Sequence, residues 1–331
     1  MKLGFTYDLK DDYLKAGFSA EEVAEFDTIE TIEGIEKTLT KLGYSVDRIG
    51  AAKSLISRVV AGERWDIVFN IAEGIKGVGR EAQIPAILDI YEIPYVFSEP
   101  MVLSLTLHKA MAKRIVRDAK IKTPDFHVVY SPDDIKNIQI PYPLFVKPLS
   151  EGTGKGIDAA SMINSQYDLE KTVLLMLKKY CQPVLVEKFL PGREFTVGIT
   201  GTGDEAKVVG VIEVNFLKEA QSNIYGLVSK KNYEKMVHYT VPEKEIFDKC
   251  ADTALACWKV LECRDGGRVD LRNNEKGEPE FIEVNPLAGL NPIDSDLPIL
   301  ARMSGLSYDG LIKEIIDSAT KRIFHEKTGL P

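Results

Sequence analysis

Short apolar runs alternate with segments of helical spacing through the first hundred residues, and no other feature restricts the fold of this chain so much. Lys2–Tyr7 reads as a strand and is followed by an acidic stretch, Asp8 to Asp27. Ile29, Ile32, Ile35, Leu39 and Leu42 then recur at helical spacing until Gly43 stops the helix. Tyr44–Ile49 predicts a second strand, Leu55–Ala61 a helix, and Trp65–Asn70 a third strand that runs into a glycine-rich loop, Glu73–Gly79. A helix over Gln83–Tyr91 and a strand over Tyr95–Phe97 complete the unit. Strands that alternate with helices in this way predict a parallel sheet with helical crossovers, ending near residue 100.

The pattern then changes. A helix over Thr106–Ala119 carries Lys109, Lys113, Arg114 and Arg117, with Lys120 just beyond, and reads mostly as a solvated face. Strands are predicted at Phe126–Val129, Pro143–Lys147 and Val184–Phe189, with helices at Pro132–Asn137 and Asp168–Tyr180. Phe195–Gly201 and Lys207–Val214 read as a strand pair joined by the turn Gly201-Thr202-Gly203-Asp204. After a polar stretch, Leu217–Lys235, a helix over Lys244–Leu261 leads to strands at Gly267–Arg272 and Glu280–Val284 and a closing helix at Ser307–Ile323. The fold class is therefore α/β followed by α+β.

Composition removes several functions. With 42 basic and 50 acidic residues the net charge is −8, a poor balance for a nucleic-acid binder. Four cysteines without a CxxC pair, and only four histidines, argue against a zinc site and for free thiols in a reducing compartment. Neither a signal peptide nor an apolar run long enough to span a membrane is visible, which predicts a cytoplasmic protein.

Three segments carry residues suited to chemistry. Arg268-Val269-Asp270-Leu271-Arg272 and Phe281-Ile282-Glu283-Val284-Asn285 flank turn residues at 273–277. Alternation places Arg268 with Asp270, and Glu283 with Asn285, while Val269, Leu271, Ile282 and Val284 face the other way. Two carboxylates and an amide oxygen suit Mg²⁺ and not Zn²⁺; the plain alternative is a wet polar hairpin. The second segment, Lys147-Pro148-Leu149-Ser150-Glu151-Gly152-Thr153-Gly154-Lys155-Gly156, ends a strand in a loop whose backbone N–H groups can approach phosphate, or is simply a flexible turn. It is not a Walker A loop. The third, Glu187–Glu194, turns at Pro191-Gly192 and offers a hinge whose backbone can read an adenine edge.

Taken in order, these blocks resemble the ATP-grasp superfamily, and within it the D-alanine–D-alanine ligase family. Phe69-Asn70-Ile71-Ala72-Glu73-Gly74 with Gly77-Val78-Gly79-Arg80-Glu81 is similar to that family's N-terminal glycine-rich segment. Leu107-His108-Lys109 and Lys147-Pro148 resemble its two ATP lysine motifs, and the segment from Val186 through Val197 its adenine and ribose hinge. Gly267–Asp270 and Glu283–Leu290 resemble its metal and oxyanion motifs. The likeness spans roughly residues 65 to 305.

The resemblance implies an ATP-grasp fold in three parts: an N-terminal pre-ATP-grasp parallel-sheet domain over 1–100, a central subdomain with the phosphate loop and hinge over 101–200, and a C-terminal domain with a lid and the Mg²⁺ site over 201–331. It implies ATP-dependent joining of a carboxylate to an amine through an acyl phosphate, with release of ADP. Lys109 and Lys147 would hold phosphates; Glu187, Lys188 and Leu190 the adenine; Glu194 the ribose; and Asp270, Glu283 and Asn285 two Mg²⁺ ions. Arg268 and the Gly289 N–H would stabilise the oxyanion, Lys230 would close over the γ-phosphate from a lid, and Ser295 would hold the acceptor carboxylate. Amino acids or peptides are the implied substrates, and a homodimer the implied assembly. A ligase for a different amino-acid or peptide pair, or a non-catalytic ATP-binding regulator, are the alternatives.

The departures fall on the substrate side. The family's Ser-x-x-Glu segment near the start is missing, and Glu25 or Asp27 would replace it, unless both are ordinary helix N-terminal acids. Glu73 is a further substrate candidate. Thr153 stands where the family carries a loop serine and keeps its hydroxyl. Lys155, Lys231 and Arg193 add cations, suited either to a more anionic substrate or to solvent.

Overall fold

The structure, a computed structural model, describes residues 1–216 and 237–328. Strands β1 (Lys2–Thr6), β2 (Ser45–Gly50) and β3 (Ile67–Asn70) form a parallel sheet in the order β2-β1-β3. The central strand β1 buries both faces, so its sequence is apolar rather than alternating. Gly4 is required there: a Cβ would lie 2.6 Å from Ile49 Cδ1 and 2.9 Å from the Trp65 ring. The predicted helix forms over Ile29–Lys41 and buries Ile32, Ile35 and Leu39 on one face.

Tyr95–Phe97 does not form a strand. Only Tyr95 bridges the sheet, against Val68. Phe97 has a left-handed φ of +77° and donates its N–H to Asp265 Oδ2 at 2.8 Å, so the ladder ends there. The helix expected over Thr106–Ala119 is two helices, Pro100–Leu107 and Lys109–Asp118, broken at His108, whose Nδ1 accepts the Met111 N–H. Pro132–Asn137 is a 3₁₀ helix.

Strands β4 (Phe126–Val129), β5 (Leu144–Pro148), β6 (Met162–Ile163) and β7 (Val184–Lys188) make an antiparallel sheet in the order β4-β7-β5-β6, backed by the helix Gln166–Tyr180. Strands β8 (Glu194–Thr200), β9 (Lys207–Phe216), β10 (Val237–Thr240), β11 (Gly266–Asn273) and β12 (Pro279–Asn285) make a second antiparallel sheet, order β10-β9-β8-β11-β12. The helix Lys244–Val260 packs Cys250, Ala254, Cys257 and Trp258 into the core against it.

One core runs between the chain ends. Leu3, Phe5, Ile35 and Phe69 share a cluster with Leu297, Leu311, Ile312 and Ile315, so the last helix, Tyr308–Thr328, packs against the first sheet. Asp265, fully buried, ties the same regions together: it accepts from Arg322 at 2.8 Å and from Ser318 at 2.9 Å. Among the described residues no helix is long and apolar enough to cross a membrane.

Candidate active site

Strands β11 and β12 pair with Arg268 opposite Asn285 and Asp270 opposite Glu283. The four residues expected on one polar surface are therefore brought together. The register then slips by one residue, so Leu271 faces Phe281 and Ile282 is the extra residue of a bulge. Ile282 consequently lines the cleft beside Glu283 instead of packing underneath, and Phe281 takes the buried position. Simple alternation misplaces both.

This polar face is not a wet hairpin. Arg268 is only 7% exposed and its guanidinium bonds Asp270, whose other oxygen accepts from Thr196 Oγ1 at 3.0 Å. Lys109 Nζ lies 3.6 Å from Glu283, and among the described residues the buried Asn285 amide nitrogen has no hydrogen-bond partner. The oxygen set Asp270, Glu283 and Asn285 fits a hard divalent cation that keeps other ligands from water or phosphate.

Across the cleft lie Phe145, Lys147, Glu187, Leu190 and Glu194, with Glu151 and Gly154 of the glycine loop above. Lys147 Nζ meets Glu187 Oε1 at 2.8 Å, and Lys113 Nζ meets Oε2 at 2.9 Å, all three buried. Burial opposes the Glu187 charge, but the two lysines outweigh it and hold its pKa below the ordinary value. Burial pushes the Lys113 pKa down to about 8, against the pull of Glu187. The basic helix reads mostly as a solvated face. That holds for the exposed Arg114, Arg117 and Lys120, but Lys113 is fully buried and Lys109 nearly so. The break at His108 opens a new helix turn at Lys109, whose Nζ bonds the Glu151 carbonyl in the glycine loop.

The hinge follows β7. The Lys188 N–H is spent on the Asp125 carbonyl, and its Nζ donates to the Pro141 and Tyr142 carbonyls. Glu194 is held by Arg272 at 3.1 Å, a partner the sequence reading did not single out.

A second cavity joins this cleft on the side of the parallel sheet. Glu73, Glu81, Lys109, Thr153, Arg268, Asn285 and Gly289 share its wall. Beyond it Asp27, Thr31, Thr153, Arg268, Gly289 and Ser295 line a further pocket. Ser295 Oγ accepts the Asn291 N–H at 3.0 Å at the start of the helix Asp296–Met303.

Glu25 is not a helix-terminal acid. Its Oε2 pairs with Arg80 Nη2 at 2.8 Å and its Oε1 accepts the Gly152 N–H at 2.6 Å, while Arg80 also donates to the Ser150 carbonyl at 2.8 Å. The pair thus holds the glycine loop. Asp27 lines the further pocket, where burial raises its pKa to about 7. The added cations do not sit free in the site: Lys155 pairs with Glu151 at 2.7 Å, and Arg193 with Glu213 and Glu243. Lys230, Lys231 and the proposed lid Leu217–Lys235 lie outside the described residues.

Known proteins resemble this chain in sequence and in fold. The family described as D-ala D-ala ligase C-terminus matches residues 115–317. The uncharacterized protein y4sG of Sinorhizobium fredii is 32% identical over 265 residues, 78% of this chain and 76% of its own length. A D-alanine–D-alanine ligase of Aquifex aeolicus is 29% identical over 290 residues, covering 87% of this chain and 94% of the relative. In shape, the Bacillus anthracis D-alanine–D-alanine ligase complexed with ATP superposes with a TM-score of 0.75 at 23% identity, over 98% of this chain and 99% of that one. With the family match covering more than half of its residues, the chain belongs to the D-alanine–D-alanine ligase family and has the ATP-grasp fold.

Proposed function

We propose that this protein is an ADP-forming ligase that joins the carboxyl group of one amino acid to the amine of another at the expense of ATP. The observation that carries the reading is the convergence of Arg268, Asp270, Glu283 and Asn285 on one face between a lysine-lined cleft and a second cavity. The sheets suggest a division of labour: the central four-stranded sheet supplies the phosphate loop and hinge, the C-terminal sheet the metal face, and the parallel sheet the substrate wall.

A carboxylate is a poor electrophile until its oxygen carries a phosphoryl group. In this proposal Lys109 and Lys147 hold the ATP phosphates, and Glu187, Lys188 and Leu190 face the base with Glu194 at the ribose. Asp270, Glu283 and Asn285 hold Mg²⁺, which when bound neutralises charge on the transferring phosphoryl group. Arg268 and the Gly289 N–H then face the oxygen that becomes negative as the amine attacks. Thr153 in the glycine loop and Ser295 at the far pocket contact substrate. A cytoplasmic setting and a homodimer belong to the same proposal.

ADP release from Mg²⁺-ATP, measured with D- and L-amino acids singly and in pairs with mass detection of product, tests it. A dipeptide formed with ADP supports the reading. Dipeptide from D-alanine alone would place this chain with the ligases its relatives are named for, and another pair would show substrate loops cut differently. ATP binding with no turnover on any pair would refute the amino-acid ligase reading.

A further inference from the structure

Two acidic side chains on the substrate wall are not needed for nucleotide or metal. Glu73, in the loop after β3, and Glu81, in the 3₁₀ helix Arg80–Ala82, hydrogen-bond to each other. Glu81 is buried. Both line the cavity that also contains Arg268, Gly289 and Asn285, so the pair faces the space where the activated carboxyl and the amine must meet. We propose that Glu73 and Glu81 together are the general base that takes the proton from the amine substrate.

This inference rests on the ligase reading above. Two carboxyl groups bonded to each other share one proton, because both cannot be ionised side by side in a desolvated cavity. One member therefore stays ionised and able to accept. Burial raises Glu81 to about 7, with Arg80 and Lys109 pulling it down and Glu25 pushing it up. The same burial, with Glu81, Glu25 and Asp27 as neighbouring acids and Arg80 as the opposing cation, raises Glu73 well above its ordinary value. A base whose pKa lies near the working pH transfers protons most effectively.

An amine that arrives as an ammonium has no free lone pair. The ionised carboxylate takes one proton, the freed lone pair forms the C–N bond at the acyl carbon, and the C–O bond to phosphate breaks with its electrons leaving on phosphate. A second nitrogen proton goes to the departing phosphate, and the carboxyl pair returns its own proton to water.

Hydroxylamine separates this role from a structural one, because it is already unprotonated at neutral pH and needs no base. Glu73→Gln, Glu81→Gln and Glu81→Asp are compared with the unaltered protein in Mg²⁺-ATP. Two fluxes are read: hydroxamate formed with hydroxylamine, and amide formed with the amino acid that gives the fastest ADP release. In each Gln variant the amide-to-hydroxamate ratio falls by about 100-fold at pH 7. The deficit narrows as pH rises and free amine accumulates, and Glu81→Asp restores most of the ratio. An unchanged ratio in both Gln variants overturns the assignment, since misfolding or weak binding lowers both fluxes together. Unaltered protein that makes neither product overturns the ligase reading, and the inference with it.

Discussion

Asp270 of β11 stands directly opposite Glu283 of β12, one pair along from Arg268 and Asn285. Two carboxylates on adjacent strands repel each other unless cations lie between or beside them, and here Arg268 and Lys109 lie beside them. Asp270→Asn should therefore raise the Mg²⁺ concentration needed for half-maximal ADP release by more than tenfold, with ATP saturating. Glu283→Gln should do the same. A magnesium requirement that does not move in either variant argues against this face as the metal site.

Glu187 binds two buried lysines at once. Glu187→Gln leaves Lys113 and Lys147 in the cleft wall without their counter-charge, and breaking a buried pair of this kind costs about 3–5 kcal/mol. Denaturant unfolding should show a loss of that order. Lys113→Met combined with Glu187→Gln should recover part of it, because the uncompensated lysine is then gone. No recovery in the double variant would mean that Lys113 is not the strained partner.

The Glu25–Arg80 pair fixes the glycine loop from the parallel-sheet side. Glu25→Gln keeps an acceptor for the Gly152 N–H and loses the ion pair; Glu25→Ala loses both. The KM for ATP should rise in that order, by about tenfold or more in the alanine variant, the size expected when a supporting contact behind a binding group is removed. Equal effects of the two changes would show that the Gly152 bond carries nothing.

Asp27 gives a pH dependence with a definite sign. Its folded pKa, about 7, lies above the ordinary aspartate value, chiefly through burial; Thr31 and Lys10 lower it, and Asp8 and Asp294 raise it. The unfolded chain therefore loses its proton first as pH rises. The stability contributed by this group is fully present below about pH 4 and is lost as pH climbs through about 7. Asp27→Asn should flatten that part of the stability curve. A curve in the variant as steep as in the unaltered protein would assign the slope elsewhere.

Much of this site is legible in the sequence because strand alternation is a local property: period-two spacing puts Arg268 with Asp270 and Glu283 with Asn285, and the strand register joins the two pairs. Ile282 is not legible, since a one-residue bulge leaves no mark in composition. Lys113 looks like its exposed neighbours Arg114 and Arg117, and only the sheet packed over one helix face separates them. The Glu25–Arg80 contact joins residues 55 positions apart, and Asp265 meets Arg322 across 57. Such pairs follow from how distant segments of the chain pack, which local periodicity does not encode. Tyr95–Phe97 has strand-like residues but ends its ladder after one bridge, because the Phe97 N–H is committed to Asp265.

Phosphoryl transfer to a substrate carboxylate is the central step of the proposed reaction. The direct measurement uses the turnover-supporting amino acid labelled with ¹⁸O in its carboxyl group, with mass analysis of the inorganic phosphate released alongside ADP. Phosphate carrying one ¹⁸O from the carboxylate is the predicted result. Unlabelled phosphate, or AMP and pyrophosphate in place of ADP and phosphate, would contradict it.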